Sequence, residues 1–269
     1  MKRYFFFSLV SAAFAGLTLF ASCNKDDDKD SNQQQSATEG RIVKVETLYG
    51  IEDYPYDRET TYEYDAQGRV TKRSVTTGKG TVDEYSYSFN YSYGENQIIC
   101  TSTRYATTTT LNLEGGLVRS EVLSYGGDRS QIDYEYDADN HMVREIYSEG
   151  DTVFHVWQNG NLMRTYTHKH SSIEVGASDI TTDYTFTDYS YSLFPFSDCG
   201  TGENALALKG IYGTQPKNLP ATDQYVINDE TVINGNNNYT YTLDEKGRVK
   251  SIAVTCESLP YTIRVTWSN

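Results

Sequence analysis

The nonapeptide YEYDAQGRV, residues 62–70, decides the fold. Tyr62 and Tyr64 alternate with polar residues, as they would on a strand with one apolar face. A polar run from Asp65 to Arg69 then reverses the chain before Val70. Tyr64 and Val70 stand six apart, and the same interval separates Tyr136 from Met142 in YEYDADNHM and Leu243 from Val249 in TLDEKGRV. A three-residue loop fits this interval, flanked in YEYDAQGRV by Asp and Arg. Its last residue, Gly68, Asn140 or Gly247, takes the left-handed conformation that Gly and Asn tolerate best.

A second spacing extends the reading. Trp157 and Leu162 lie five apart around Asn159-Gly160, Leu113 and Val118 around Gly115-Gly116, and Tyr93 and Ile98 around Glu95-Asn96. Five apart means a two-residue hairpin loop. Turns are therefore expected near residues 67, 95, 115, 139, 159 and 246. TGKG (77–80), GGD (126–128) and EGD (149–151) supply reversals at the opposite end. No turn signal stands out in RYATTTT (104–110). The expected fold is all-β, an antiparallel meander of about fourteen strands curled into a barrel-like or rolled sheet, because sheets of that size hide their edges.

One segment breaks the rhythm. Residues 193–222 hold three of the five prolines and the only helical pattern, around Glu203 to Leu208. Such an excursion is either a plug over one barrel end or a functional loop. Leu206, Leu208, Ile211 and Leu219 need apolar surroundings, which favours the plug.

The row YSYSFNYSY, residues 85–93, places a ring at every second position. It suits a core face, a lipid-facing wall or a ligand-binding face, and Tyr85, Tyr87 and Tyr91 are candidate ligand contacts. Lys72, Arg144 and Arg164 lie two residues beyond Val70, Met142 and Leu162. Strict alternation puts these cations on the same face as those apolar residues, where they form a basic stripe able to hold a small anionic ligand. Charges on that face argue against contact with lipid, and the chain ends TWSN without a terminal aromatic residue.

The first residues speak for export. Lys2 and Arg3 precede an apolar stretch, YFFFSLVSAAFAGLTLF (4–20), followed by Ala21-Ser22-Cys23. This resembles the bacterial lipobox, with Phe20 in place of the more usual Leu, and implies lipidation of Cys23 and anchorage to the outer membrane. Lys25-Asp26-Asp27 looks like the signal that sends lipoproteins of the Bacteroides group to the cell surface. The expected organisation is a signal peptide (1–22), a lipidated cysteine with a disordered acidic and polar tether (23–40), and one all-β domain (41–269). The 24 tyrosines suit strands. A net charge of −14 opposes nucleic-acid binding.

Reactive chemistry is scarce in the pattern. Cys100, Cys199 and Cys256 remain beside Cys23, allowing at most one disulfide. His168 and His170 share a strand face, with His141 and His155 elsewhere, and no zinc spacing accompanies them. There is no Gly-x-Ser-x-Gly elbow or phosphate-binding Gly loop. Asp137 and Asp139 sit in a turn, where capping explains them. No catalytic residue, metal or cofactor is expected.

The YEYDAQGRV hairpins, the KNLP that ends the excursion and the closing YTYTLDEKGRV resemble a family of Bacteroides-group lipoproteins of unknown function, described as having a porin-like fold. The hairpin unit also resembles the Tyr-Asp repeats of large cell-surface shells, whose arrays are far longer. The family resemblance implies a rolled antiparallel sheet and brings no catalytic residues. The resulting expectation is a surface lipoprotein that is a non-enzymatic binding or interaction module for a glycan or small anion, or else a structural envelope component.

Overall fold

The computed structural model describes residues 40–50, 57–168, 179–190, 210–227, 235–256 and 260–268. The leader, Cys23 and its tether, His170, Cys199 and the 193–209 part of the excursion lie outside these residues. Sixteen strands form one closed antiparallel barrel. They are β1 (Ile42–Leu48), β2 (Arg58–Tyr64), β3 (Val70–Thr77), β4 (Tyr85–Tyr93), β5 (Gln97–Ser102), β6 (Thr108–Glu114), β7 (Leu117–Tyr125) and β8 (Asp128–Tyr136). The second half comprises β9 (Met142–Tyr147), β10 (Thr152–Gln158), β11 (Asn161–His168), β12 (Ile180–Ser190), β13 (Asn218–Ile227), β14 (Gly235–Leu243), β15 (Val249–Cys256) and β16 (Tyr261–Trp267). Each strand pairs with its sequence neighbours, and β1 pairs with β16 to close the ring. The expected architecture is present with two more strands than the turn signals counted. One extra reversal lies in RYATTTT, where a turn is made without glycine and Ala106 takes φ 50°.

The expected hairpins define one end of the barrel, here called the base. Gly68, Asn140 and Gly247 have φ of 74°, 61° and 75°. Asn159-Gly160 and Gly115-Gly116 have positive φ at both positions, as a two-residue loop of that type requires. The turn acids cap their own loops. Asp65, Asp137 and Asp244 each accept a hydrogen bond from the backbone N–H four residues on. They also meet that residue's side chain, Arg69, His141 or Arg248.

After the turn comes a feature that alternation does not anticipate. Tyr64 pairs with Val70 but Glu63 pairs with Lys72, so Thr71 is an extra residue, a β-bulge. The same one-residue bulge follows Met142, Leu162, Val118 and Val249. Each bulge inverts the inside–outside parity of the strand beyond it. Inside, one apolar cluster draws on every strand, with Val70, Val118, Leu219, Val249, Ile252 and Ile263 at 0–1% exposure. In a closed barrel a single cluster of that kind can only be the lumen.

The bulges also organise the base. The indole or phenol of six residues donates to the carbonyl that immediately precedes a bulge, at 2.6–2.8 Å: Tyr64 to Ile42, Tyr93 to Val70, Tyr136 to Val118, Trp157 to Met142, Tyr241 to Pro220 and Trp267 to Val249. Each bond ties the two strand ends that no base turn connects. Where β5 has no bulge at Ile98, the corresponding position is Leu113, which has no donor. An arginine lies over four of these rings: Arg41, just before β1, on Tyr64, and Arg69, Arg119 and Arg248, from the preceding base hairpins, on Tyr93, Tyr136 and Trp267. His141 stacks on Trp157 in the same way.

The described end of the excursion crosses this base. Val118 N–H donates to Ile211, Thr214 N–H to Asn140 and Lys217 N–H to Gly160. Tyr212 enters the lumen edge-on to Tyr134. Gly213 allows the approach, because a Cβ there would stand 2.3 Å from the Asn140 carbonyl oxygen, and its φ is 93°. The strand resumes at Asn218, so the irregular stretch ends earlier than residue 222.

Candidate binding sites

The bulges relocate three of the expected site residues. Lys72, Arg144 and Arg164 are not on the face of Val70, Met142 and Leu162. Thr71, Val143 and Met163 are extra residues, so all three cations point outward. No inner basic stripe is formed by them. Each meets a carboxylate across the sheet: Lys72 with Glu63 at 3.3 Å, Arg144 with Glu135, and Arg164 with Asp183 through a two-bond fork of 2.5 and 2.9 Å.

On the outer wall two of them flank an aromatic pair that strict alternation hides. Phe154 and Tyr166 are cross-strand partners on β10 and β11, their rings nearly parallel at 8° and 4.8 Å apart. Arg144 stands beside Phe154 on β9. Arg164 and Asp183 form the next rung, with Val156. This surface is concave. A groove of about 810 Å³ is lined by Phe154, Val156, Met163, Arg164, Tyr166, Thr181 and Asp183 among others. Tyr166 and Val156 are exposed, at 38% and 43%.

The aromatic row of β4 faces the lumen, since its partners are Thr77, Val75 and Arg73 on one side and Cys100 and Ile98 on the other. Its environment changes along the strand. Tyr91 is buried and Tyr93 ties the base, where burial, against the nearby Arg69 charge, pushes its phenol up to about 12. Phe89 lies under the buried Arg73 guanidinium at 3.9 Å. Tyr87 and Tyr85 reach the opposite end, the mouth, where Tyr85 is 41% exposed. There Arg104 lies over Tyr85, Tyr87 and Tyr105 at 4.7–4.9 Å. Arg58 donates to the Tyr87 hydroxyl at 3.4 Å.

The facing inner wall is acidic. Glu145 and His155 are both buried, with Nε2 2.9 Å from Oε1, and Tyr147 donates to the other Glu145 oxygen. Tyr134 and Tyr212 donate to Glu121. Tyr239 and Asn237 donate to Asp223. Burial raises the Asp223 carboxyl above the usual range against those two hydrogen bonds, and burial with the Glu121 charge raises the Tyr134 phenol. The His155 and Glu145 side chains are 2% and 5% exposed, which places the pair inside the wall.

Asp137, Asp139 and His141 bring their ligand atoms within 4.8 Å of one another. Asp137 is engaged by the amides of Asp139 and His141 and by the His141 ring, which accounts for the grouping as a capped turn. Cys100 is buried and Cys256 half-buried.

The chain is a closed sixteen-strand antiparallel barrel whose lumen holds one apolar cluster beside buried acids and whose base hairpins are tied together. Residues 62–251 match the DUF4595 domain of unknown function with porin-like fold, and the chain belongs to that family. Its fold is similar to the crystal structure of a porin-like protein from Bacteroides uniformis ATCC 8492, with 18% identity, a TM-score of 0.61, and 84% of this chain and 98% of that one covered. A porin-like protein from Bacteroides vulgatus ATCC 8482 is similar at 17% identity and a TM-score of 0.60, with the same coverage. No curated protein matches the chain.

Proposed function

We propose that this is a lipoprotein anchored through Cys23 to the outer membrane and displayed at the cell surface, where it captures a glycan without transforming it. The carrying observation is the outer-wall groove built on the stacked Phe154–Tyr166 pair. An exposed aromatic face takes the apolar face of a sugar ring, and an Arg–carboxylate fork beside it presents donors and acceptors to hydroxyls. Arg144 and Arg164 are already paired with Glu135 and Asp183, so this site suits a neutral chain better than an anion. The leader and the lipobox-like Ala21-Ser22-Cys23 support the anchor. The outer wall supports display in water, because charges facing hydrocarbon cost about 2–4 kcal/mol each near the midplane.

The test is titration of neutral hexasaccharides by calorimetry against the wild-type protein and the Tyr166→Ala and Arg164→Ala variants. Binding that falls at least tenfold in Tyr166→Ala, with circular dichroism unchanged, supports capture at this wall. Wild-type protein that binds none of the panel at millimolar concentration leaves the structural envelope role as the better reading. Protease shaving of intact cells tests display, and protection of the protein would overturn it.

A further inference from the structure

The mouth of the lumen carries a second cationic–aromatic arrangement, on the opposite side of the barrel from the outer-wall groove. Arg104 sits in the β5–β6 turn and meets three tyrosine rings, Tyr85, Tyr87 and Tyr105. The turn is bound into place. Thr103 N–H donates to the Ser88 carbonyl, Ser88 N–H donates to the Thr103 hydroxyl, and Arg104 N–H donates to Ser102 Oγ. Ala106 closes it in the left-handed region without being glycine, a conformation that neighbouring contacts must hold.

The contrast with the base is chemical. Arg69 and Arg248 also lie over rings, but each is neutralised by a turn carboxylate, Asp65 or Asp244. Arg104 meets no carboxylate among the described residues, in a chain of net charge −14. Aromatic contact uses the faces of a guanidinium and leaves its in-plane N–H groups for an oxyanion. Tyr85 and Tyr105, 41% and 44% exposed, offer ring faces beside that edge.

We propose that the tyrosine-caged Arg104 is a binding subsite for a sugar ring bearing an oxyanion, either a uronate carboxylate or a sulfate ester. The guanidinium edge takes the oxyanion in a fork and a tyrosine face takes the ring. The subsite is independent of the outer-wall groove, and the two fail separately.

The experiment titrates full-length protein with a galacturonate hexasaccharide, its methyl-esterified form, a sulfated disaccharide and its desulfated form. Either acidic probe is expected to bind at least tenfold more tightly than its neutral counterpart, with the preference shrinking as salt rises. Which acid shows the larger ratio identifies the oxyanion. Arg104→Ala removes the preference, and Arg104→Lys restores little of it because an ammonium offers no fork. Equal binding of acidic and neutral forms, no binding of either acid, or a preference that survives Arg104→Ala overturns the proposal.

Discussion

The two ends of the barrel solve different problems with the same residue types. At the base, tyrosine and tryptophan are structural: six rings donate their polar hydrogen to a carbonyl beside a bulge, and Tyr93 and Trp267 are each covered by an arginine whose charge a turn aspartate neutralises. At the mouth the same pairing of ring and guanidinium is open to water, and Arg104 meets no acid among the described residues. The difference teaches that ring–cation contact by itself identifies neither a core nor a site. Whether the ring's hydrogen and the cation's charge are internally satisfied is what separates them.

The largest effect that would sharpen this contrast lies in the core above the base. Ile252 is fully buried, and Ile252→Ala is expected to cost about 2–5 kcal/mol in urea denaturation while leaving the affinity of the mouth unchanged. A smaller loss follows from cutting one tie. Trp267→Phe keeps the ring under Arg248 and removes only the donor to the Val249 carbonyl, for about 1–3 kcal/mol. Tyr85→Ala at the mouth is expected to change stability by under about 0.5 kcal/mol, as exposed substitutions do. A stability loss in Tyr85→Ala as large as that of Trp267→Phe would break the distinction between the ends.

Much of the base was legible in the sequence. The six- and five-residue intervals located six of the base connections, all but the β12–β13 excursion, because hairpin loops allow few lengths and Gly or Asn suit the left-handed positions. The faces beyond those turns are not legible from alternation, which puts Lys72, Arg144 and Arg164 on the wrong wall. A trace of the bulge is nevertheless present. Core positions Val249, Ile252 and Val254, or Ile42 and Val45, are separated first by three residues, a parity switch that period-two alternation cannot produce. The mouth was less accessible, because RYATTTT turns at an alanine and Arg104 meets Tyr85 and Tyr87 only once the β5–β6 turn curls over β4. The Phe154–Tyr166 pair was hidden by the Met163 bulge, which brings together residues that simple counting from Asn159-Gly160 puts on opposite faces.

The smallest expected effect concerns pH, and it separates the base from the lumen by sign. Asp244 is partly desolvated, but the Arg248 amide and guanidinium and the Lys246 amide outweigh that and hold its carboxyl below the usual value of 3.8. Its contribution to stability is therefore present above pH 3.8 and is lost as pH falls through the folded value. Asp223 is displaced upward by burial, so the folded state binds its proton more tightly than the unfolded chain does. Stability is then lost as pH rises from 3.8 through the folded value, and ionised Asp223 opposes folding at neutral pH. Urea midpoints at pH 3, 5 and 7 should accordingly show Asp244→Asn weaker than wild type at pH 7, with the gap closing at pH 3. Asp223→Asn, which can still accept the Tyr239 hydrogen bond, should be the more stable form at pH 7 and lose that advantage at pH 3. Parallel profiles for the two variants would mean that the acids of the lumen wall are held as the turn acids are, and the electrostatic difference between tied base and lumen wall would have to be abandoned.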